Sequence, residues 1–322
     1  MKPFARRALI SGGVLLSALV LVTACAQGAA AAQVKKVTEK TFPLGPNGEV
    51  VIESRNGRIA IETWDRSDVR VQITRVVRAA DDEHAQELLK GLQADVESTP
   101  GRLEIVSRYP KRRENVGLWD FLGGKVAAMD IHYYLQVPKS TALRLETANG
   151  EIQISGATRS VEASTTNGDV KITGGSGSID AETTNGELEI LAVSGDVSGR
   201  TTNGGIRAEI RALGEKGSVE LETTNGNVTV TLPPGIRATV SAATTNGKVT
   251  SSFPLTMSGA MSSKSIQGTI GGGKGAALSF ATTNGNIEIL KIGSTASPRG
   301  GRRLRASILS RMGPAPEGET LE

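Results

Sequence analysis

Between Ala142 and Ile292, apolar and polar residues alternate in short runs, and the runs recur at a fixed distance along the chain. One unit reads Ser160-Val161-Glu162-Ala163-Ser164-Thr165-Thr166-Asn167-Gly168-Asp169-Val170-Lys171-Ile172, followed by a Gly/Ser turn. Period-two alternation marks a strand with one buried face. Thr-Thr-Asn-Gly occurs six times, starting at Thr165, Thr183, Thr201, Thr223, Thr244 and Thr282, after a variant at Thr147-Ala148-Asn149-Gly150. The Asn residues are spaced by 18, 18, 18, 22, 21 and 38. The degenerate copy Ser265-Ile266-Gln267-Gly268 splits the last gap into 21 and 17, so it is expected to form a rung of its own. A period of this size signals a repeat architecture.

Aligned on Asn, Val161 shares a column with Ile179, Val197, Val219, Val240 and Leu278. Val170 shares one with Ile152, Leu188, Ile206, Val228, Val249 and Ile287. Asn-Gly is also a strong hairpin signal, with Thr165 opposite Val170. Fixed columns favour the other reading, a parallel β-solenoid of roughly 18–22-residue rungs, about eight in number. In-register stacking lets Asn149, Asn167, Asn185, Asn203, Asn225, Asn246 and Asn284 form a hydrogen-bonded ladder. The Gly is expected to supply a positive φ at the corner. The inward Thr column, led by Thr165, is expected to share a hydroxyl ladder that relieves its burial.

The N-terminal part is β-rich as well. Val50, Ile52 and Ser54 occupy alternate positions before Asn56-Gly57, with Ile59 and Ile61 after it, so Asn56 marks an early, diverged rung. Asp81 is a plausible N-cap for a helix with Ala85, Leu88, Leu89 and Leu92 on one face. Residues 107–129 form an insertion in which Trp119 and Phe121 follow Lys111, Arg112 and Arg113. These aromatics suit contact with a glycan or an envelope protein; the competing role is to cover the exposed solenoid end. The expected organisation is a leader over 1–24, a tether over 25–40, an N-terminal β region with the helix and insertion over 41–138, solenoid repeats over 139–292 and a disordered basic tail over 293–322.

Aromatics make up only 3% of the chain, which suits thin stacked layers. Lys2, Arg6 and Arg7 precede an apolar run too short and too Gly/Ser-broken for a membrane span. It ends in Leu21-Val22-Thr23-Ala24-Cys25, which resembles a bacterial lipobox. Cys25 is the only Cys. The expected anchor is lipid attached there, because several acyl chains hold a protein at a membrane. Ala26 and Gln27 after the Cys point to outer-membrane delivery by resemblance to Gram-negative lipoproteins. Without the leader's three cations the net charge falls from +4 to +1, and five Arg lie between Arg299 and Arg311. The body is therefore close to neutral, and no nucleic-acid partner is expected.

Gly48-Glu49-Val50-Val51-Ile52-Glu53-Ser54-Arg55-Asn56-Gly57-Arg58-Ile59, then Val137-Pro138-Lys139, then tandem Thr-Thr-Asn-Gly units resemble the bacterial DUF4097 family of β-strand-repeat proteins, which carry an adhesin label. The resemblance spans roughly Phe42 to Ile292. It implies a β-solenoid on the cell envelope and brings no catalytic residues with it. Other motifs are weak. Gly268 to Gly275 approaches a phosphate-binding loop but lacks its final Ser or Thr. Gly174 to Asp180 approaches a calcium repeat but occurs once. His84 and His132 are isolated, so no metal and no cofactor is expected. The leading expectation is a non-catalytic, adhesin-like binding or structural module. The alternatives are a carbohydrate-active β-helix enzyme using Glu162 and Asp180, and a self-associating envelope scaffold.

Overall fold

The computed structural model describes residues 32–110, 128–156, 158–258, 262–272 and 275–293. Cys25, Trp119, Phe121 and the basic tail lie outside them. Two β-sheets, of twelve and eleven strands, share one apolar core. Each rung places one strand in the twelve-stranded leading sheet, turns a corner, and places the next in the eleven-stranded trailing sheet. The hairpin alternative is overturned at every Asn-Gly corner, because both strands pair in parallel with the neighbouring rungs.

In spatial order there are nine rungs among the described residues. The first joins Arg102–Arg108 to Ala128–Pro138, and the second joins Glu49–Glu53 to Ile59–Trp64. The third joins Ala142–Asn149 to Ile152–Ser155, and the fourth Ser160–Asn167 to Val170–Thr173. The fifth, sixth and seventh join Ser178–Asn185 to Leu188–Ser194, Val197–Asn203 to Ile206–Ala212 and Ser218–Asn225 to Val228–Leu232. The eighth joins Ala276–Asn284 to Ile287–Lys291, and the ninth Ala238–Asn246 to Val249–Ser251.

Chain order and spatial order therefore part at both ends. The last rung in sequence is wedged between the seventh and the ninth, in parallel register with each. The expected rung around Gln267 does not form. Ser265–Ile270 instead pairs antiparallel with Ala238–Asn246 and with Thr256–Met257. Here no Asn-Gly corner follows the strand, and two consecutive glycines, Gly271 and Gly272, both at positive φ, turn the chain back.

The N-terminal end is closed differently. Residues 32–40, expected as tether, belong to strand Ala32–Pro43, which pairs along its full length with Asp68–Ala79. That strand satisfies backbone groups a free tether would leave to water. Gln93–Thr99 covers the leading-sheet edge of the first rung. The boundary expected at 138/139 is crossed by the second and third rungs, which pair directly. The helix Asp82–Gly91 starts at Asp81, whose side chain accepts from the His84 N–H, and buries Ala85.

In the fourth and fifth rungs a small inward residue on the leading sheet is matched by a large one on the trailing sheet. On the leading sheet one inward column runs Ala163, Ala181, Gly199, Leu221, Phe280, Ala242. On the trailing sheet its counterpart runs Ile172, Ile190, Ala208, Val230, Ile289. A Cβ on Gly199 would already touch Leu221 at 3.0 Å and Ile190 at 3.6 Å. In the sixth rung both inward residues, Gly199 and Ala208, are small, and Leu221 of the seventh rung reaches into the space beside Gly199, as close packing requires. Phe280 is the largest member of this column and is 1% exposed.

Phe280→Ala should cost about 3–5 kcal/mol through the cavity it leaves. Because the eighth rung seats the ninth, hydrogen exchange should show lost protection at Val240 and Ala242 as well as at the eighth rung, with the fourth and fifth rungs unchanged.

Burial raises the phenol of Tyr133, which shares a 2.6 Å hydrogen bond with Ser107. Burial, and then the hydrogen bond donated to Glu62, push Tyr134 up to about 12. A phenol whose folded value lies above its ordinary value near 10 stabilises the fold below that pH. That stability is lost as pH rises through the folded value. An absorbance titration at alkaline pH should show both phenols ionising well above pH 10, with unfolding; Tyr133→Phe should flatten the stability loss.

Candidate functional site

The Asn-Gly corner is the most repeated surface of the molecule. Each Asn donates its Nδ2–H to the Oδ1 of the next Asn in space. Asn167 reaches Asn149 at 2.8 Å, and Asn185 and Asn203 continue the row at 2.9 Å. Asn225 donates to Asn203, but Asn284 then donates to Asn225, and Asn246 to Asn284. The seven expected Asn are brought together, in an order that follows the wedged rung. Asn56 extends the row by accepting from Asn149 at 2.8 Å, and its own Nδ2–H reaches the Met129 carbonyl.

The corner glycines are needed for a reason other than φ. Among them only Gly57 and Gly168 show positive φ short of the extended range, at 119° and 152°. What excludes a side chain is the neighbouring rung: a Cβ on Gly186 would sit 2.0 Å from the Gly168 carbonyl oxygen. The backbone hydrogen bonding carries on through the corner, as in Gly168 N–H to Asn185 O at 3.0 Å.

The buried Thr column also differs from expectation. Its hydroxyls form no ladder with one another. The Thr of the six Thr-Thr-Asn-Gly copies donate instead to the corner Gly carbonyl of the preceding rung, as Thr183 does to Gly168 at 2.9 Å and Thr282 to Gly226 at 2.9 Å. The geometry favours this because the carbonyl lies nearer than the neighbouring hydroxyl one rung away, about 4.8 Å distant. Thr147 Oγ1 is buried without a partner. A third set of contacts escaped the repeat pattern: Asp169 and Asn227 accept backbone N–H groups of the next rung through Oδ1.

The two outer faces are unlike. On the trailing sheet, charges alternate across rungs, with Lys171 paired to Glu189 and Arg207 following. On the leading sheet, one outward column runs Arg144, Glu162, Asp180, Ser198, Glu220 and the next Glu146, Ser164, Glu182, Arg200, Glu222. Six carboxylates and two guanidiniums share this face over five rungs. The repeat columns in the sequence do not by themselves show which outward charges share a face, because they do not separate the two sheets. A shallow groove of about 360 Å³ crosses the same face, lined by Glu49, Arg144, Glu162, Asp180, Asp196 and Glu220 among others.

Glu162 and Asp180 do stand on adjacent strands. Arg144 lies 3.2 Å from Glu162, and Arg200 lies 2.9 Å from Glu220. The hydrogen bond to Glu220 raises the Arg200 guanidinium above its ordinary value. Such exposed pairs contribute little stability, about 0–1 kcal/mol each.

In sequence the insertion falls between Arg102–Arg108 and Ala128–Pro138 of the first rung, and residues 111–127 lie outside the described residues. At its root the Tyr109 hydroxyl accepts from the Asn56 N–H and donates to the Asn56 carbonyl, both at 2.9 Å. Arg55 stacks over the Tyr109 ring at 5.6 Å. Trp119 and Phe121 themselves lie outside the described residues, as does Cys25. Among the described residues no three His, Cys, Asp or Glu side chains are grouped to hold a metal ion. His132 Nδ1 accepts from the Arg58 N–H, and His84 sits on the helix. No helix of the described residues is long and apolar enough to cross a membrane.

The three corner roles separate in their energetic cost. Asn185→Ala should lose about 1–2 kcal/mol from two exposed hydrogen bonds, and Thr183→Val about 1 kcal/mol from one buried bond. Gly186→Ala should cost more than either, because it forces backbone apart. Urea denaturation read by hydrogen exchange in the fourth to sixth rungs checks this order.

A family model described as Toastrack DUF4097 matches residues 124–290. No curated protein matches the chain in sequence. A candidate adhesin from Bacteroides fragilis is 12% identical, with a TM-score of 0.37, covering 79% of this chain and 97% of that one. A candidate cell adhesion protein from Clostridium sporogenes is 12% identical, with a TM-score of 0.30, covering 80% and 100%. A candidate lipid binding protein from Parabacteroides distasonis is 14% identical, with a TM-score of 0.24, covering 79% and 96%.

Proposed function

The chain belongs to the DUF4097 (Toastrack) family, and from that premise we propose that it is a non-catalytic, adhesin-like binding module of the bacterial cell envelope, held to the membrane by lipid on Cys25. The observation that carries the reading is the one-sided outer face. A repeating scaffold presents six carboxylates against two guanidiniums, Arg144 and Arg200, on the leading sheet, while charges of opposite sign alternate across rungs on the trailing sheet. Such an array favours a partner with basic groups at matching intervals, because opposite charge steers encounter and fixes register. An envelope protein is the expected partner. A glycan engaging the hydroxyl-rich column Thr166, Thr184, Thr202 is the second source.

Self-association by stacking in rung register is disfavoured where antiparallel strands replace rungs, at Ala32–Pro43 and Gln93–Thr99 at one end and at Ser265–Ile270 at the other, while the trailing sheet ends on the rung strand Val249–Ser251. The carbohydrate-active reading keeps one specific support, the adjacency of Glu162 and Asp180, because a retaining pair needs carboxyls about 5–5.5 Å apart.

Pull-down from intact envelopes tests the binding reading. The lipidated protein should retain a partner in a salt-sensitive manner, and Asp180→Asn with Glu182→Gln should reduce recovery several-fold without changing stability. Equal recovery by wild type and variant sinks this face as the contact surface. Cys25→Ser should release the protein from membranes and lower its mass by the acyl groups; unchanged detergent partitioning removes the anchor. Glycan turnover abolished by Glu162→Gln would favour the enzyme instead.

A further inference from the structure

The Asn-Gly row has two ends, and they are not alike. Nine Asn-Gly pairs occur in the chain, eight in the row and one, Asn47-Gly48, in a turn outside it. In seven of the eight the glycine N–H donates to the asparagine carbonyl of the adjacent rung, at 2.8–3.0 Å. In the same seven the carboxamide is held from both sides, accepting from one neighbour and donating to another, from Asn56 through Asn284.

The eighth pair is Asn246-Gly247, at the corner of the ninth rung. Its carboxamide donates to Asn284 at 2.8 Å, but its Oδ1 accepts from no group among the described residues. The Gly247 N–H likewise has no acceptor among them. The antiparallel cover does not supply one, because it bridges the corner: the Thr244 N–H reaches the Lys264 carbonyl at 2.8 Å and the Val249 N–H reaches the Ser263 carbonyl at 2.9 Å, with Gly247 between them. Asn246 is exposed.

We propose that Asn246 is a site of spontaneous covalent modification, converted to aspartate and isoaspartate while the other seven asparagines of the row stay intact. The Gly247 amide nitrogen, its proton lost to hydroxide, attacks Cγ of Asn246. The new C–N bond closes a five-membered imide, the Cγ–Nδ2 bond breaks, and Nδ2 takes a proton from water and leaves as ammonia. Water then opens the imide at either carbonyl, giving aspartate or isoaspartate. One water is consumed and one ammonia released, with no change in oxidation state. Glycine suits the attacking position because it has no side chain to crowd the approach. At the seven protected corners the same attack requires a bonded N–H to leave its carbonyl and a doubly held carboxamide to turn, so local opening must come first.

The conversion acts on the rung that carries it. A carboxylate at position 246 replaces the donor that Asn284 Oδ1 now accepts from, so two acceptors face each other and the last link of the row is lost. Isoaspartate also adds a carbon to the main chain at the corner, displacing Val249–Ser251 from its parallel register with Ile287–Lys291.

Peptide mapping by mass spectrometry tests the proposal on the full chain carrying Cys25→Ser, which needs no detergent, aged at mildly alkaline pH in water enriched in oxygen-18. Asn246 should convert at least ten-fold faster than any other asparagine of the row and should take up labelled oxygen. In denaturing urea the eight should convert at similar rates, because the row no longer exists. Hydrogen exchange on the aged protein should show lost protection at Gly285 and Ile287, which donate to the Asn246 and Lys248 carbonyls, with Gly168 and Gly186 unchanged. The proposal is overturned if native Asn246 converts no faster than the other seven, if it gains no labelled oxygen, or if the same preference persists in urea. Unchanged protection at Gly285 and Ile287 in fully converted protein overturns the structural consequence.

Discussion

The structure depends on backbone hydrogen bonds that do not stop where the strands stop. At each corner the glycine N–H of one rung meets the asparagine carbonyl of the next. Carrying pairing around a bend brings carbonyl oxygens into the space where a Cβ would stand, at 1.8–2.2 Å in the third to ninth rungs. That single steric demand selects glycine. The Asn before it and the Thr two residues before the Asn satisfy the polar groups that this approach leaves behind. Every rung thus inherits its position from its neighbour, and stability accumulates through nearest-neighbour interfaces.

A scaffold fixed in this way leaves its outward positions free to vary, and they have diverged by face. Alternating charges on one sheet and a carboxylate excess on the other require no change in the core columns. Outward chemistry and folding chemistry occupy alternate residues of the same strands. At the N-terminal end the two sheets are unequal in extent.

Much of this was legible because period-two alternation and in-register stacking are written directly in the columns led by Val161 and Val170. The Asn row was legible for the same reason, down to its members. Its order was not: nothing in Asn284 itself says that it neighbours Asn225 rather than Asn246, since all rungs carry the same columns and fit one another. Gln267 misled because it keeps the spacing while its strand runs the other way. The corner glycines misled in mechanism, because close approach and positive φ call for the same residue. Ala32–Pro43 escaped notice because its Lys and Thr residues read as solvated tether, although edge strands carry just such residues. The acidic face required knowing which of two sheets each strand enters.

The wedged eighth rung gives the chain a sense of completeness. As the polypeptide emerges, the ninth rung and its antiparallel cover appear before the strands that must lie beneath them. A chain cut short before Ala276 still contains a terminal cap but lacks the layer on which that cap is seated. The C-terminal repeat, made last, is thus an internal layer of the finished stack. Shortening by one repeat at that end therefore removes a middle, and the architecture registers the loss as a fault in its interior.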